Sequence, residues 1–119
     1  MSVLAIVDDL MFRATIEAAA VQAGAAVALA KDRSALGSRS ELMLVDLHLT
    51  ADDPLAVVAL AKRLDNPPRI VGFYSHVQTE LAQRAQQAGC DLVLPRSAFV
   101  RELPRLLAAA NPVPPTAPD

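Results

Sequence analysis

The sequence predicts an α/β chain, an open parallel sheet with helices on both faces, and three observations carry that expectation. Short, continuous apolar runs at Val3 to Val7, Leu42 to Val45 and Ile70 to Tyr74 have the uninterrupted hydrophobicity of strands covered on both sides. Segments with helical spacing stand between them, two closed by glycine, so strand and helix alternate five times. The third observation is where the apolar runs stop. Two of them end in carboxylates, Asp8-Asp9 and Asp46, at the strand ends where such sheets place their chemistry.

The first strand, Val3 to Val7, leads into a helix from about Leu10 to Ala23, with Phe12, Ile16, Ala19, Ala20 and Ala23 on one side and Gly24 as a C-terminal stop. Ala26 to Ala30 is a second strand, and Arg33 to Gly37 a short helix in an otherwise polar stretch. The run Glu41 to Leu49 holds the third strand, ending at Asp46. Asp53-Pro54 then starts a helix, because Asp caps and Pro suits the first helical position; it should reach about Asp65 before Asn66-Pro67-Pro68 ends it. Ile70 to Tyr74 is the fourth strand, closed by Ser75. A helix carrying Leu81, Ala85 and Ala88 runs to Gly89, and Asp91 to Leu94 is the fifth strand. The last helix carries Leu103, Leu106 and Leu107, with Pro104 expected in its first turn or at a kink. Residues 1–110 read as one domain, and the Pro-rich stretch 111–119 as a disordered tail or a linker cut short. Right-handed crossovers then give a flavodoxin-like, doubly wound five-stranded parallel sheet of order 2-1-3-4-5.

Composition narrows the function. At 119 residues and 53% hydrophobic, the chain fills one core, and no apolar run reaches the roughly 18 residues of a membrane span. With no secretory signal pattern, the expectation is a cytoplasmic protein. Cys90 is the single cysteine, so a disulfide framework or a thiolate zinc site within the chain is excluded, and it reads as a small core residue. A net charge of -2 with interspersed signs leaves no basic face for nucleic acid. His48 and His76 are expected to face solvent rather than bind a transition metal, and neither a helical HExxH pair nor a nucleophile elbow occurs.

In the predicted order the first and third strands are neighbours, which brings Asp8, Asp9 and Asp46 to one crevice. Three anions there repel on the order of several kcal/mol, so a cation should sit among them. With only a few oxygen ligands on offer, magnesium retaining some of its waters is favoured. The plainer alternative, that Asp8 or Asp9 caps the next helix, should hold for one of the two. Ser75 after the fourth strand and Arg96 after the fifth add a hydroxyl and a positive charge, although Ser75-His-Val-Gln78 also matches a capping box. Together these are the parts needed for phosphoryl transfer to Asp46.

This ordered set resembles the receiver domain of bacterial response regulators over roughly Ser2 to Ala110. The resemblance implies Asp46 as phosphoacceptor, and Asp8, Asp9, Asp46 and the backbone carbonyl of His48 as the Mg2+ site. Ser75 becomes the hydroxyl that contacts the phosphoryl group, and Arg96 stands in the place of the family's lysine. Arginine there is longer and planar, so the exchange is not conservative. His76 follows Ser75 where the family has a small residue, and Val93 occupies the position of the family's aromatic switch residue.

Two functions follow. In the first, a histidine kinase or phosphotransfer protein phosphorylates Asp46, and about two added charges bias a surface near the fifth strand and the helix before it, read by a downstream protein target. Such a receiver catalyses only its own phosphorylation and is no enzyme toward a separate substrate. In the second, a degenerate receiver serves as a phosphorylation-independent interaction module, a reading that a salt bridge between Arg96 and Asp46 would favour. A flavin or nucleotide binder is disfavoured, because two carboxylates rather than a Gly-rich loop follow the first strand. The alanine-rich first and last helices read as core and as a candidate homodimer face.

Overall fold

The computed structural model describes residues 2–37, 39–75 and 79–110, with only the backbone described at Ala110. Residues 76–78 and 111–119 lie outside it, and with them the expectations for His76, for the capping box and for the Pro-rich tail. Five parallel strands, β1 (Val3–Ile6), β2 (Val27–Ala30), β3 (Leu42–Asp46), β4 (Arg69–Tyr74) and β5 (Leu92–Pro95), form one sheet of order β2-β1-β3-β4-β5, as expected.

Side-chain alternation along the strands builds two cores. Val3, Ala5, Leu42, Leu44, Val71 and Phe73 point to a layer formed by α1 (Leu10–Ala23) and α4 (Arg96–Ala110), which contribute Ile16, Ala20, Phe99, Leu103, Leu106 and Leu107. Leu4, Ile6, Met43, Val45 and Ile70 point the other way, under α2 (Pro54–Lys62) and α3 (Thr79–Ala88), which supply Val57, Val58, Ala61 and Ala85. Because both faces are covered, β1 and β3 carry no polar residue before their carboxylate ends. Each fully buried Leu, Ile or Phe contributes about 1.5–3 kcal/mol.

Local chemistry sets the helix limits. Asp9 caps α1 by accepting from the Met11 and Phe12 amides, and Gly24 ends it in the left-handed region at φ 68°. Asp53 caps α2 through the Leu55 and Ala56 amides, with Pro54 in the first turn. That helix stops at Lys62, short of Asp65: the Arg63 and Leu64 amides tighten onto Leu60 and Ala61 as the chain approaches Pro67. At the other end of the sheet, β5 is displaced by one residue from the expected span and closes on Pro95, an edge position where a missing N–H is tolerated. Arg96 follows β5 directly as the first residue of α4, and Pro104 lies inside that helix, beyond its first turn. Asp91 accepts from the Ile70 amide at 2.8 Å and pairs with Lys62 at 3.0 Å, tying α2 and β4 to the start of β5. Cys90 is buried, as expected, and burial pushes its thiol pKa up to about 11.

Candidate functional site

The carboxyl ends of β1 and β3 flank the switch point of the sheet, and Asp46 is the last residue of β3. Alternation turns it to the α1/α4 face, level with its register partner Phe73. At 1% exposure it is the only buried charged side chain among the described residues. Its Oδ1 accepts the His48 amide at 2.9 Å, while Oδ2 lies 3.7 Å from Arg96 Nη2, close enough for ion pairing but beyond hydrogen-bond length. Burial raises the Asp46 pKa; the His48 amide and the Arg96 charge offset this only in part, and the Asp8 charge adds to the rise. The cation that the crowded acids call for is thus supplied, at Asp46, by the chain's own arginine.

The acidic pair has other duties. Asp9 Oδ1 is committed to the α1 cap. Asp8 Oδ2 accepts three hydrogen bonds from the β3–α2 loop: Thr50 Oγ1 at 2.7 Å, the Thr50 amide at 3.1 Å and the Ala51 amide at 3.0 Å. Burial by itself would raise the Asp8 pKa, but these donors outweigh it and hold the carboxyl below its ordinary value. The loop is in turn fixed from the other side. Arg33, at the start of the short 3-10 helix Arg33–Gly37, grips Asp52 through Nη2 at 2.6 Å, Nε at 2.9 Å and its own amide at 2.9 Å. This fork holds the Asp52 pKa far below the usual carboxylate range.

Ser75 follows β4 at the same edge, and its amide donates to His48 Nε2 at 3.0 Å. His48 is therefore not the solvent-facing side chain expected from the sequence. By accepting at Nε2, the imidazole joins the β3–α2 loop to the end of β4, and a lone histidine in a loop carries no pattern that announces such a bond. Two more participants escaped the sequence reading in this role: Thr50, which holds Asp8, and Phe12, whose ring lies 4.6 Å from Arg96 Cζ. A hydroxyl four residues after the strand-end carboxylate was the available hint for Thr50.

Asp8, Asp9, Asp46 and the His48 carbonyl offer oxygen donors only, which suits a hard divalent cation. Among the described residues, however, no three His, Cys, Asp or Glu side chains are grouped closely enough to hold a metal ion. The donor chemistry fits; the side chains are spent on the helix cap, the loop and the guanidinium.

A sheet of order 2-1-3-4-5 between two pairs of helices, with an acidic switch-point edge facing a cation, defines the receiver-type α/β class, and comparison with solved structures places the fold there. The receiver domain of NtrX from Brucella abortus superposes with a TM-score of 0.78 at 20% identity, covering 91% of this chain and 96% of that one. A Burkholderia pseudomallei response regulator, solved with a phosphorylated aspartic acid, calcium ion and citrate, gives 0.75 at 28% identity over 92% of this chain and 65% of that one. The Mn2+-bound form of response regulator Rcp1 gives 0.76 at 14% identity over 98% and 99%. Against the longer NtrX structure the chain spans 26% of that protein. No protein-family model matches the sequence, and no curated protein does. The resemblance read from the acidic pair, Asp46, Ser75 and Arg96 is thereby borne out for the fold. In addition, no helix among the described residues is long and apolar enough to cross a membrane.

Proposed function

We propose that the chain is a response-regulator receiver domain in which Asp46 accepts a phosphoryl group from a histidine kinase or phosphotransfer protein and passes the signal on by protein contact. The observation that carries this reading is Asp46 itself: a carboxylate at the end of β3, enclosed on the α1/α4 face, with a backbone donor on one oxygen and a guanidinium 3.7 Å from the other. An Asp46 oxygen attacks phosphorus as the phosphorus–nitrogen bond of the donor phosphohistidine breaks, leaving an acyl phosphate on the receiver. Arg96 then meets the added charge, and Ser75 at the neighbouring strand end supplies the hydroxyl. Mg2+ is the cofactor of this reading, to be held by Asp8, Asp9, Asp46 and the His48 carbonyl, where it would neutralise charge on the phosphoryl oxygens. The chemistry is confined to the domain's own phosphorylation and dephosphorylation. The cytoplasm, where the donor kinase domains work, is its compartment, with a downstream target or a second copy as partner. Residues 1–110 form the signalling unit, followed by a Pro-rich tail.

Incubation with Mg2+ and a small acyl phosphate, followed by intact mass spectrometry, should show one phosphoryl adduct that Asp46→Asn abolishes, with Arg96→Lys accelerating its formation. A second reading, a phosphorylation-independent interaction module, draws on the resident Arg96–Asp46 pair. No adduct on the wild-type chain after long incubation would select it.

A further inference from the structure

The position of the family's aromatic switch residue holds Val93, which packs on the α2/α3 side, and no ring stands there to move. The three phenylalanines are gathered on the opposite face, while Tyr74 packs on the α2/α3 side with Val93. All three phenylalanines of the chain stack together: Phe73 on Phe99 with centroids 4.1 Å apart at 14°, and Phe12 on Phe73 at 5.1 Å and 29°. Phe73 is the register partner of Asp46, Phe99 lies one turn beyond Arg96 on α4, and Phe12 is in the first turn of α1. Arg96 joins this stack to the acid, with Cζ 4.6 Å from the Phe12 centroid and Nη2 3.7 Å from Asp46 Oδ2. Its Nε is buried and has no hydrogen-bond partner among the described residues, so the guanidinium is held by its face and its tip.

A planar guanidinium can lie on a ring and reach a carboxylate at the same time, whereas a strongly hydrated ammonium is a point charge that serves the two poorly together. We propose that Phe12 is the positioning residue that holds Arg96 against Asp46, and that the charge on Asp46 is read through this pair along the seam between α1 and α4 rather than at β5 and α3. The proposal deepens the receiver reading and rests on it for the event that changes the charge. An added phosphoryl group draws the guanidinium off Phe12. Because Phe12 and Arg96 begin the two helices that pack on each other, the displacement is delivered at their shared end.

Proton–nitrogen NMR of the full chain tests this. Arg96 Nε–H should appear displaced upfield by the Phe12 ring current and protected from exchange. Phe12→Leu should abolish the displacement, and Phe12→Tyr, which keeps a ring and reports on folding, should restore it. Asp46→Asn should move the Arg96 resonance and change amide shifts mainly within residues 10–23 and 96–109. An Arg96 signal indifferent to Phe12→Leu, or Asp46→Asn shifts concentrated in α3 and β5, overturns the proposal. Failure of Asp46 to take a phosphoryl group sinks the functional reading instead, and these spectra decide the positioning role regardless.

Discussion

Replacing Asp46 by Asn should stabilise the domain at neutral pH, although it removes the charge partner of Arg96 Nη2. Asn is isosteric and keeps an oxygen to accept the His48 amide, so the substitution isolates the charge. Two effects oppose each other. At 3.7 Å and an effective dielectric near 20, the attraction between Arg96 and Asp46 is about 4–5 kcal/mol. Against it stands the removal of a carboxylate from water at 1% exposure, a cost of several kcal/mol that one backbone donor only partly offsets. Burial raises the Asp46 pKa despite the His48 amide and the Arg96 charge, so the native state holds its proton more tightly than the unfolded chain does. Between the ordinary carboxylate value of 3.8 and the raised native value, the folded chain binds more protons and stability falls as pH rises. The favourable contribution of protonated Asp46 is thus complete below pH 3.8 and lost on passing its native pKa. Urea unfolding at pH 7 should show Asp46→Asn more stable than the wild type, with a higher midpoint and Tm, and the difference should vanish in acid. An Asn variant less stable at pH 7 would mean that the ion pair outweighs desolvation, and the account of Asp46 as a carboxylate destabilised by burial would fail.

Two further outcomes follow from the site's supports. Thr50→Val keeps shape but removes the 2.7 Å hydroxyl donor to Asp8; it should cost about 1 kcal/mol in urea unfolding and speed hydrogen exchange at the Ala51 amide, and unchanged exchange would show that the backbone donors suffice alone. Gly89→Ala should destabilise by about 1–3 kcal/mol, because Gly89 sits at φ 130° and a Cβ there would come within 2.4 Å of Lys62 Cγ, whose head group is tied to Asp91; a Tm equal to wild type would refute the strain argument.

Most of the fold was written in patterns of short range. Uninterrupted apolar runs announced a sheet covered on both faces, the Asp8-Asp9 pair and Asp53 announced the helix starts, and Gly24 an end. These signals act within a turn or a strand, so their physics needs no knowledge of the rest of the chain. Where a boundary moved, a proline stood beside it. The α2 helix closed early ahead of Pro67, and α4 took in Arg96 directly after the edge position of Pro95.

The sequence by itself determined which chemical groups reach the carboxyl edge: three carboxylates, a serine and an arginine, each at a strand end, with oxygen donors only. Tertiary structure alone decided what those groups are occupied with. Asp8 anchors a loop that Arg33 fixes through Asp52, His48 joins that loop to β4, and Arg96 lies between Phe12 and Asp46. Partners 19 to 42 positions apart, and the still more distant pairs that Arg96 makes, are chosen by how loops and helices come to rest on the sheet. A residue type reveals that it can donate or accept, but only the packed fold sets the distance at which it does so.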